Sequence, residues 1–93
     1  MFAAIDEILE VTARDLGLCW VREYKGEEVR SAEVSLGAGR FAQLWVERSN
    51  QAPYFVVCAW DYKHNRLRES SSLQNLRQTL SNVVSVARSW GTS

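Results

Sequence analysis

The chain has 93 residues, of which 46% are hydrophobic and 24% are charged, and its 11 basic and 11 acidic side chains give a formal net charge of zero. This composition is ordinary for one small globular domain and excludes a disordered chain. A net charge of zero also argues against strong, non-specific binding of nucleic acid, which depends on many phosphate contacts. We therefore expect residues 1–93 to form a single domain.

The first segment of the chain has the periodicity of an amphipathic helix. Ile5, Leu9 and Leu16 recur at helical spacing, with acidic side chains on the opposite side. Gly17 follows the last apolar residue and is typical of a left-handed helix end. The pattern predicts a helix over about residues 2–16.

Residues 20–62 predict a meander of four antiparallel strands. Between the first two strands, Gly26 and Glu27 predict a two-residue turn with glycine in the left-handed first position. Uninterrupted pairing from this turn places Val21 opposite Ala32.

Two later turns set the register of the remaining strands. Residues 37–39 predict a three-residue loop, and residues 50–53 predict a four-residue turn that contains the only proline. These turns pair Ala32 with Leu44 and Leu44 with Ala59. All three predicted turns agree on which residues share a face, whereas a slip of one residue would exchange the two faces.

The predicted registers divide the strand residues between two different faces. One face carries small aliphatic side chains and is the expected seat of both helices. The other face carries large rings, together with charged and amide side chains, and Tyr54 belongs to the same aromatic set. The candidate partner-binding residues on this face are Trp20, Arg22, Tyr24, Glu33, Phe41, Gln43, Trp45, Glu47, Trp60 and Tyr62.

The last segment predicts a second helix. An apolar stripe at helical spacing runs from Leu73 to Trp90, and Ser71 and Gln74 before it have the spacing of a capping box. The predicted fold is therefore α+β, with the element order α-β-β-β-β-α. It is a four-stranded antiparallel meander with both helices packed on one face.

An exposed face with so many rings would exceed the apolar patch of an ordinary small monomer. Interfaces between proteins are enriched in Trp, Tyr, Phe and Arg. The sequence thus predicts a small non-enzymatic domain that binds a protein partner or a second copy of itself through this face. An adaptor, an inhibitor or an immunity-type partner fits the size class, as does a protein encoded by a phage or another mobile element.

Two other interpretations of the aromatic face stay open. The rings can be covered within the monomer and be purely structural, or they can stack on the bases of a single-stranded nucleic acid. Glu33 and Glu47 on the same face would repel phosphates and favour the protein partner. The cations that would form a rim for a nucleic acid are Arg40, Arg48, Lys63, Arg66 and Arg68.

Signals for catalysis, cofactors or metals are weak in this sequence. His64 is the only histidine and lies in a polar stretch, and a dyad of His64 with Cys58 lacks an orienting third group. We expect Asp61 to lie at a strand end, where it caps a turn or pairs with an arginine. No cluster has metal-ligand spacing, so the sequence predicts no enzyme, no cofactor and no metal.

The sequence predicts a cytoplasmic protein without a membrane segment. The first 17 residues contain acidic side chains and no signal-peptide core, and no apolar run approaches the roughly 18–20 residues of a membrane span. Cys19 and Cys58 are isolated thiols, and the predicted registers place them on opposite faces. We therefore expect both to be reduced and buried.

Overall fold

The structure is a computed structural model that describes residues 3–20 and 29–91. The strands of the described residues form one antiparallel sheet with the order β1-β2-β3-β4-β5. The predicted α+β meander between an N-terminal and a C-terminal helix is confirmed, and β5 adds a fifth strand to the four that were predicted. The elements in chain order are α1 (Ala3–Leu16), β1 (Cys19–Trp20), β2 (Val29–Gly37), β3 (Arg40–Arg48), β4 (Phe55–Trp60), β5 (Arg66–Ser71) and α2 (Leu76–Ser89).

The hydrophobic core lies between one face of the sheet and the two helices. Along β3, Leu44 and Val46 are fully buried, and residues on the alternate positions are not. Leu80 of α2 and Leu9 of α1 belong to the same buried cluster. Helix α2 packs on the aliphatic face against β2, β4 and β5, and α1 packs beside α2 and extends the same core, because the period of two in the strands collects the small apolar side chains on that side.

Helix α1 is fastened to the rest of the chain at both of its ends. Gly17 follows it with a positive φ of 69°, and the Arg88 guanidinium donates a hydrogen bond to the exposed carbonyl of Leu16. The Arg77 guanidinium lies 2.8 Å from the Asp15 carboxylate. Near the start of α1, Asp6 forms an ion pair at 3.0 Å with Arg30 of β2.

The predicted registers of the central strands are confirmed. Ala32 pairs with Leu44, and Leu44 pairs with Ala59. The Ser49 N–H donates to the Tyr54 carbonyl at 2.7 Å, which closes the predicted four-residue turn between β3 and β4.

The predicted three-residue loop between β2 and β3 is wrong. Gly37 pairs with Arg40 after a register shift, so Ala38 and Gly39 alone form the turn. Gly37, Ala38 and Gly39 all have positive φ angles, from 53° to 89°. Glycine makes this backbone accessible at two of the three positions, and the shift lets the strands close with a tighter turn.

The predicted register of β1 is also wrong, by one residue. Trp20 pairs with Ala32, where Val21 was predicted, and Cys19 pairs with Glu33. Eleven residues separate Trp20 from Ala32 along the chain, and a two-residue turn with uninterrupted pairing requires an even number. The predicted turn at Gly26 and Glu27 lies outside the described residues.

This shift changes the argument against a disulfide between the two cysteines. The observed pairing of Cys19 with Glu33 removes the register from which the two cysteines were expected on opposite faces. Strands β1 and β4 are separated by two other strands, so their backbones lie about 14 Å apart. That distance is beyond the reach of a disulfide, and Cys58 is a buried free thiol.

Helix α2 begins later than predicted, and the predicted capping box is wrong. Ser71 is the last residue of β5 and donates its hydroxyl to the Ser72 carbonyl at 2.8 Å. The residue before the first helical residue, Leu76, is Asn75, whose side chain makes no capping hydrogen bond. Leu73 is exposed and does not join the buried stripe, because the chain is still leaving the sheet there.

Candidate functional site

The face of the sheet away from the helices is the candidate functional site. Among the described residues, no helix or strand lies over it. We call it the open face and define it by the strand positions that alternate with the core positions. It consists of Ser31, Glu33, Ser35, Phe41, Gln43, Trp45, Glu47, Val56, Cys58, Trp60, Arg66, Arg68 and Ser70.

The open face is ordered in rows that run across the strands. One row contains Glu33 of β2, Gln43 of β3, Trp60 of β4 and Arg66 of β5. Glu33 and Arg66 are exposed, while Gln43 and Trp60 between them are half-buried. The row therefore has an acidic end, a ring and an amide in its middle, and a basic end.

The next row has the same basic end but contains a buried thiol and no acidic side chain. Ser31, Trp45, Cys58 and Arg68 lie side by side on β2, β3, β4 and β5. Ser31 and Cys58 are buried, Trp45 is half-buried and Arg68 is exposed. Both rows end on β5 in an exposed arginine, so positive charge collects along that edge of the open face.

Three rings gather at the end of the sheet where β3 begins and β4 ends. We call this group of Phe41, Trp60 and Tyr62 the aromatic end. The rings of Trp60 and Tyr62 have centroids 4.8 Å apart and are tilted by 43°, and the Arg66 guanidinium lies 5.7 Å from the Trp60 ring centroid. Phe41 is 45% exposed and Tyr62 is 53% exposed. Such rings are anchors of large contact area, with a cation already stacked beside them.

The Glu47 carboxylate organises the middle of the open face. Its Oε1 accepts hydrogen bonds from the Trp45 indole N–H at 3.1 Å and from the Cys58 thiol at 3.9 Å. Burial, followed by the charge of Glu47, raises the pKa of Cys58 to about 11. The thiol is therefore protonated at neutral pH, and only a thiolate acts as a nucleophile.

The turn between β4 and β5 is built around Asp61. Its Oδ1 accepts the backbone N–H groups of Lys63 and Asn65 at 2.9 and 3.1 Å, and its Oδ2 accepts the Asn65 amide at 2.8 Å. Burial alone would raise the pKa of Asp61, but these hydrogen bonds and nearby His64 lower it below its ordinary value. The prediction that Asp61 caps a turn at a strand end is confirmed.

The cations predicted as a nucleic-acid rim do not form one continuous rim. Arg66 and Arg68 lie on the open face, and Lys63 is exposed in the turn that precedes β5. Arg40 and Arg48 occupy opposite ends of β3, about 27 Å apart. By register they share the side of the sheet that seats the helices. Within residues 3–20 and 29–91, the basic group on the open face thus consists of Arg66 and Arg68 of β5.

The structure brings together most of the described partner-binding candidates. Tyr62 follows β4 beside Trp60, and the backbone of Trp20 pairs with Ala32 and not, as predicted, one residue away from it. Arg22 and Tyr24 lie outside the described residues. The candidates that share the open face are Glu33, Phe41, Gln43, Trp45, Glu47 and Trp60.

Sequence reasoning did not place the β5 arginines on this face. The signal for it is the alternation in residues 66–70, where Leu67 alone is apolar and lies opposite Ala59 on the core side. Its neighbours Arg66 and Arg68 then point to the open face. The segment is otherwise polar, which is ordinary for an edge strand and resembles a loop in composition.

The described part of the chain contains no group of three or more His, Cys, Asp or Glu side chains placed to hold a metal ion. Within the same residues, neither helix is long and apolar enough to cross a membrane. Comparisons with protein-family models, with curated proteins and with solved structures found no match.

Proposed function

We propose that this chain is a protein-interaction domain that binds a protein through the open face of its sheet. The observation that carries the proposal is the aromatic end, where Phe41 and Tyr62 are about half exposed beside a cation-stacked Trp60. Burying exposed ring surface is worth roughly 25 cal/mol per Å². Interface centres are commonly built from such rings and from arginine.

The charges on the open face support a protein partner. Glu33 is exposed at one end of a row, and Arg66 is exposed at the other end. A mixture of both signs around a core of rings matches the polar rim of a protein interface. A phosphate backbone would meet repulsion from Glu33 on the β2 side and attraction from Arg66 and Arg68 along β5.

The free edge of β5 is a poor alternative docking site. Arg66, Arg68 and Glu69 follow one another there within four residues. Charged side chains on an edge strand oppose the addition of a further strand. The proposal therefore assigns binding to the face of the sheet and not to its edge.

The proposed role is non-enzymatic, as an adaptor or an inhibitor that occludes a surface of its partner. We place it in the cytoplasm, where a free thiol such as Cys58 stays reduced. The Glu47 hydrogen bonds to Trp45 and Cys58 hold the middle of the face in one arrangement. Such preorganisation reduces the entropy that is lost on binding.

The proposal is tested with two matched serine substitutions. Phe41 and Val86 are 45% and 43% exposed, but Phe41 lies on the open face and Val86 lies on α2. Phe41→Ser should weaken binding about tenfold or more, whereas Val86→Ser should leave it unchanged. The measurement is capture of partners from a lysate of the source cells, together with light scattering for self-association.

The outcome that contradicts the proposal is a pair of variants that behave alike. If every captured protein and every self-associated species survives Phe41→Ser as well as Val86→Ser, the open face is not the binding surface. Thermal denaturation of both variants confirms that the comparison is made between folded proteins.

A second candidate function is binding of single-stranded nucleic acid. It is favoured by one observation, the position of Arg66 and Arg68 beside Trp60 on the same face. Bases that stack on the aromatic end would contribute roughly 1–3 kcal/mol each. A titration with a single-stranded oligonucleotide, followed by tryptophan emission, should then show quenching that weakens steeply with salt. Unchanged emission at low salt excludes this function.

A further inference from the structure

We propose that the protein that occupies the open face is a second copy of this chain, packed face to face about a two-fold axis parallel to the strands. This inference rests on the proposed function and names its partner. It is carried by the order of charges across the sheet.

Each copy carries opposite charges at the two sides of the open face. Glu33 on β2 and Arg66 on β5 belong to the same row and are both exposed. Three strand spacings separate them, which is about 14 Å. They are too far apart to form an ion pair with each other within one copy, and among the described residues neither belongs to an ion pair.

A two-fold axis that runs along the strands, between β3 and β4, makes these charges complementary. Rotation about it reverses the order of the strands and keeps each row opposite itself. Arg66 of one copy then lies over Glu33 of the second copy, and the same contact occurs again by symmetry. In the middle of the row, Trp60 packs over Gln43 of the second copy.

The same rotation also matches the next row. Trp45 of one copy lies over Cys58 of the second copy, so a bulky ring meets a short, buried side chain. Arg68 lies over the small Ser31, where no cation opposes it. In this row large side chains thus face small ones, which favours close packing of two aligned sheets about 10 Å apart.

The other two-fold axis, perpendicular to the strands, is disfavoured by the same charges. Rotation about it places β5 of one copy over β5 of the second copy. Arg66 and Arg68 of both copies would then meet each other. Like charges at an interface are unfavourable, so the arrangement of charges selects the axis that runs along the strands.

The test uses charge reversal at the two ends of the row. Glu33→Arg alone and Arg66→Glu alone should each weaken the dimer about tenfold or more, because each produces two like-charge contacts. An equimolar mixture of the two variants should form a heterodimer about as strong as the wild-type dimer, since both of its contacts again join opposite charges. The measurement is sedimentation equilibrium at low and moderate salt.

Glu69→Arg provides the matched control. Glu69 is exposed on β5 like Arg66, but it lies opposite Val57 on the other side of the sheet. The Glu69→Arg substitution makes the same charge change as Glu33→Arg and should leave the dimer unchanged. Circular dichroism of each variant shows whether its monomer is folded.

Three results overturn the inference. They are a wild-type chain that stays monomeric, a dimer that Arg66→Glu strengthens, and a mixture of the folded variants that does not restore the dimer. A monomeric chain that still captures a partner dependent on Phe41 retains the proposed function and removes only the second copy as that partner. A monomeric chain that also captures no partner dependent on Phe41 removes the proposed function as well.

Discussion

The two faces of this sheet are built from the same strands and are held by different forces. On β3, Leu44 is fully buried under the helices, while its neighbour Trp45 is half-buried on the open face. The closed face consists of small aliphatic side chains that fill space between layers. The open face depends on directed contacts, such as the hydrogen bond from the Trp45 indole to Glu47. One face therefore specifies the fold, and the other is free to carry function.

The largest effect on stability is expected from a substitution in the closed face. Leu44→Ala removes buried methylene groups from the centre of the core and should lower the free energy of unfolding by about 2–5 kcal/mol. Denaturant titration measures the change. A loss below about 1 kcal/mol would mean that the core can collapse around the cavity, in contrast to the tight layer that we describe.

A smaller effect is expected at the polar centre of the open face. Trp45→Phe keeps a ring and removes the indole donor to Glu47, so stability should fall by about 1 kcal/mol. A double-mutant cycle with Glu47→Ala separates the hydrogen bond from the change in ring size. Strict additivity of the two substitutions would show that this contact does not stabilise the face.

The turn that leads from β4 to β5 makes the stability of the open face depend on pH, whereas the hydrophobic core on the closed face consists of apolar side chains that do not titrate. Asp61 has a lowered pKa in the folded protein, so its stabilising effect is complete above its ordinary pKa of about 3.9. This stabilisation is lost as the pH falls through the lower value. Asp61→Ala should reduce the melting temperature at neutral pH and flatten this part of the acid dependence. Melting curves between neutral pH and about pH 2 test it, and an unchanged slope contradicts it.

The smallest expected effect on stability is at the aromatic end. Phe41→Ser replaces a ring that is almost half exposed, and the free energy of unfolding should change by no more than about 0.5–1 kcal/mol. Denaturant titration beside Val86→Ser measures it. A loss as large as that of Leu44→Ala would assign Phe41 to the core and abolish the contrast between the two faces.

The central part of the sheet could be predicted because its alternation is regular. Ala32, Leu44 and Ala59 are small or aliphatic residues at register positions that only one face can bury. A slip of one residue would have moved them to the wrong side. The open face of β3 and β4 follows from the same argument, which is why Trp45 and Trp60 were placed correctly.

The edges of the sheet could not be predicted by that argument. Strand β5 contains one apolar residue, Leu67, and its register depends on pairing with β4 and not on a hydrophobic pattern. Ser71 therefore suggested a helix cap although it ends a strand. At the other edge, the pairing of Trp20 depends on a connection whose length cannot be read from turn propensities alone.

The contacts between the end of α1 and α2 have a consequence for the order in which the chain folds during its synthesis. Asp15 and the Leu16 carbonyl are held by Arg77 and Arg88 of α2, which leave the ribosome more than 60 residues after them. An isolated helix of 14 residues is marginal in water. Helix α1 is thus made well before α2, and its C-terminal end is fixed only once α2 has formed.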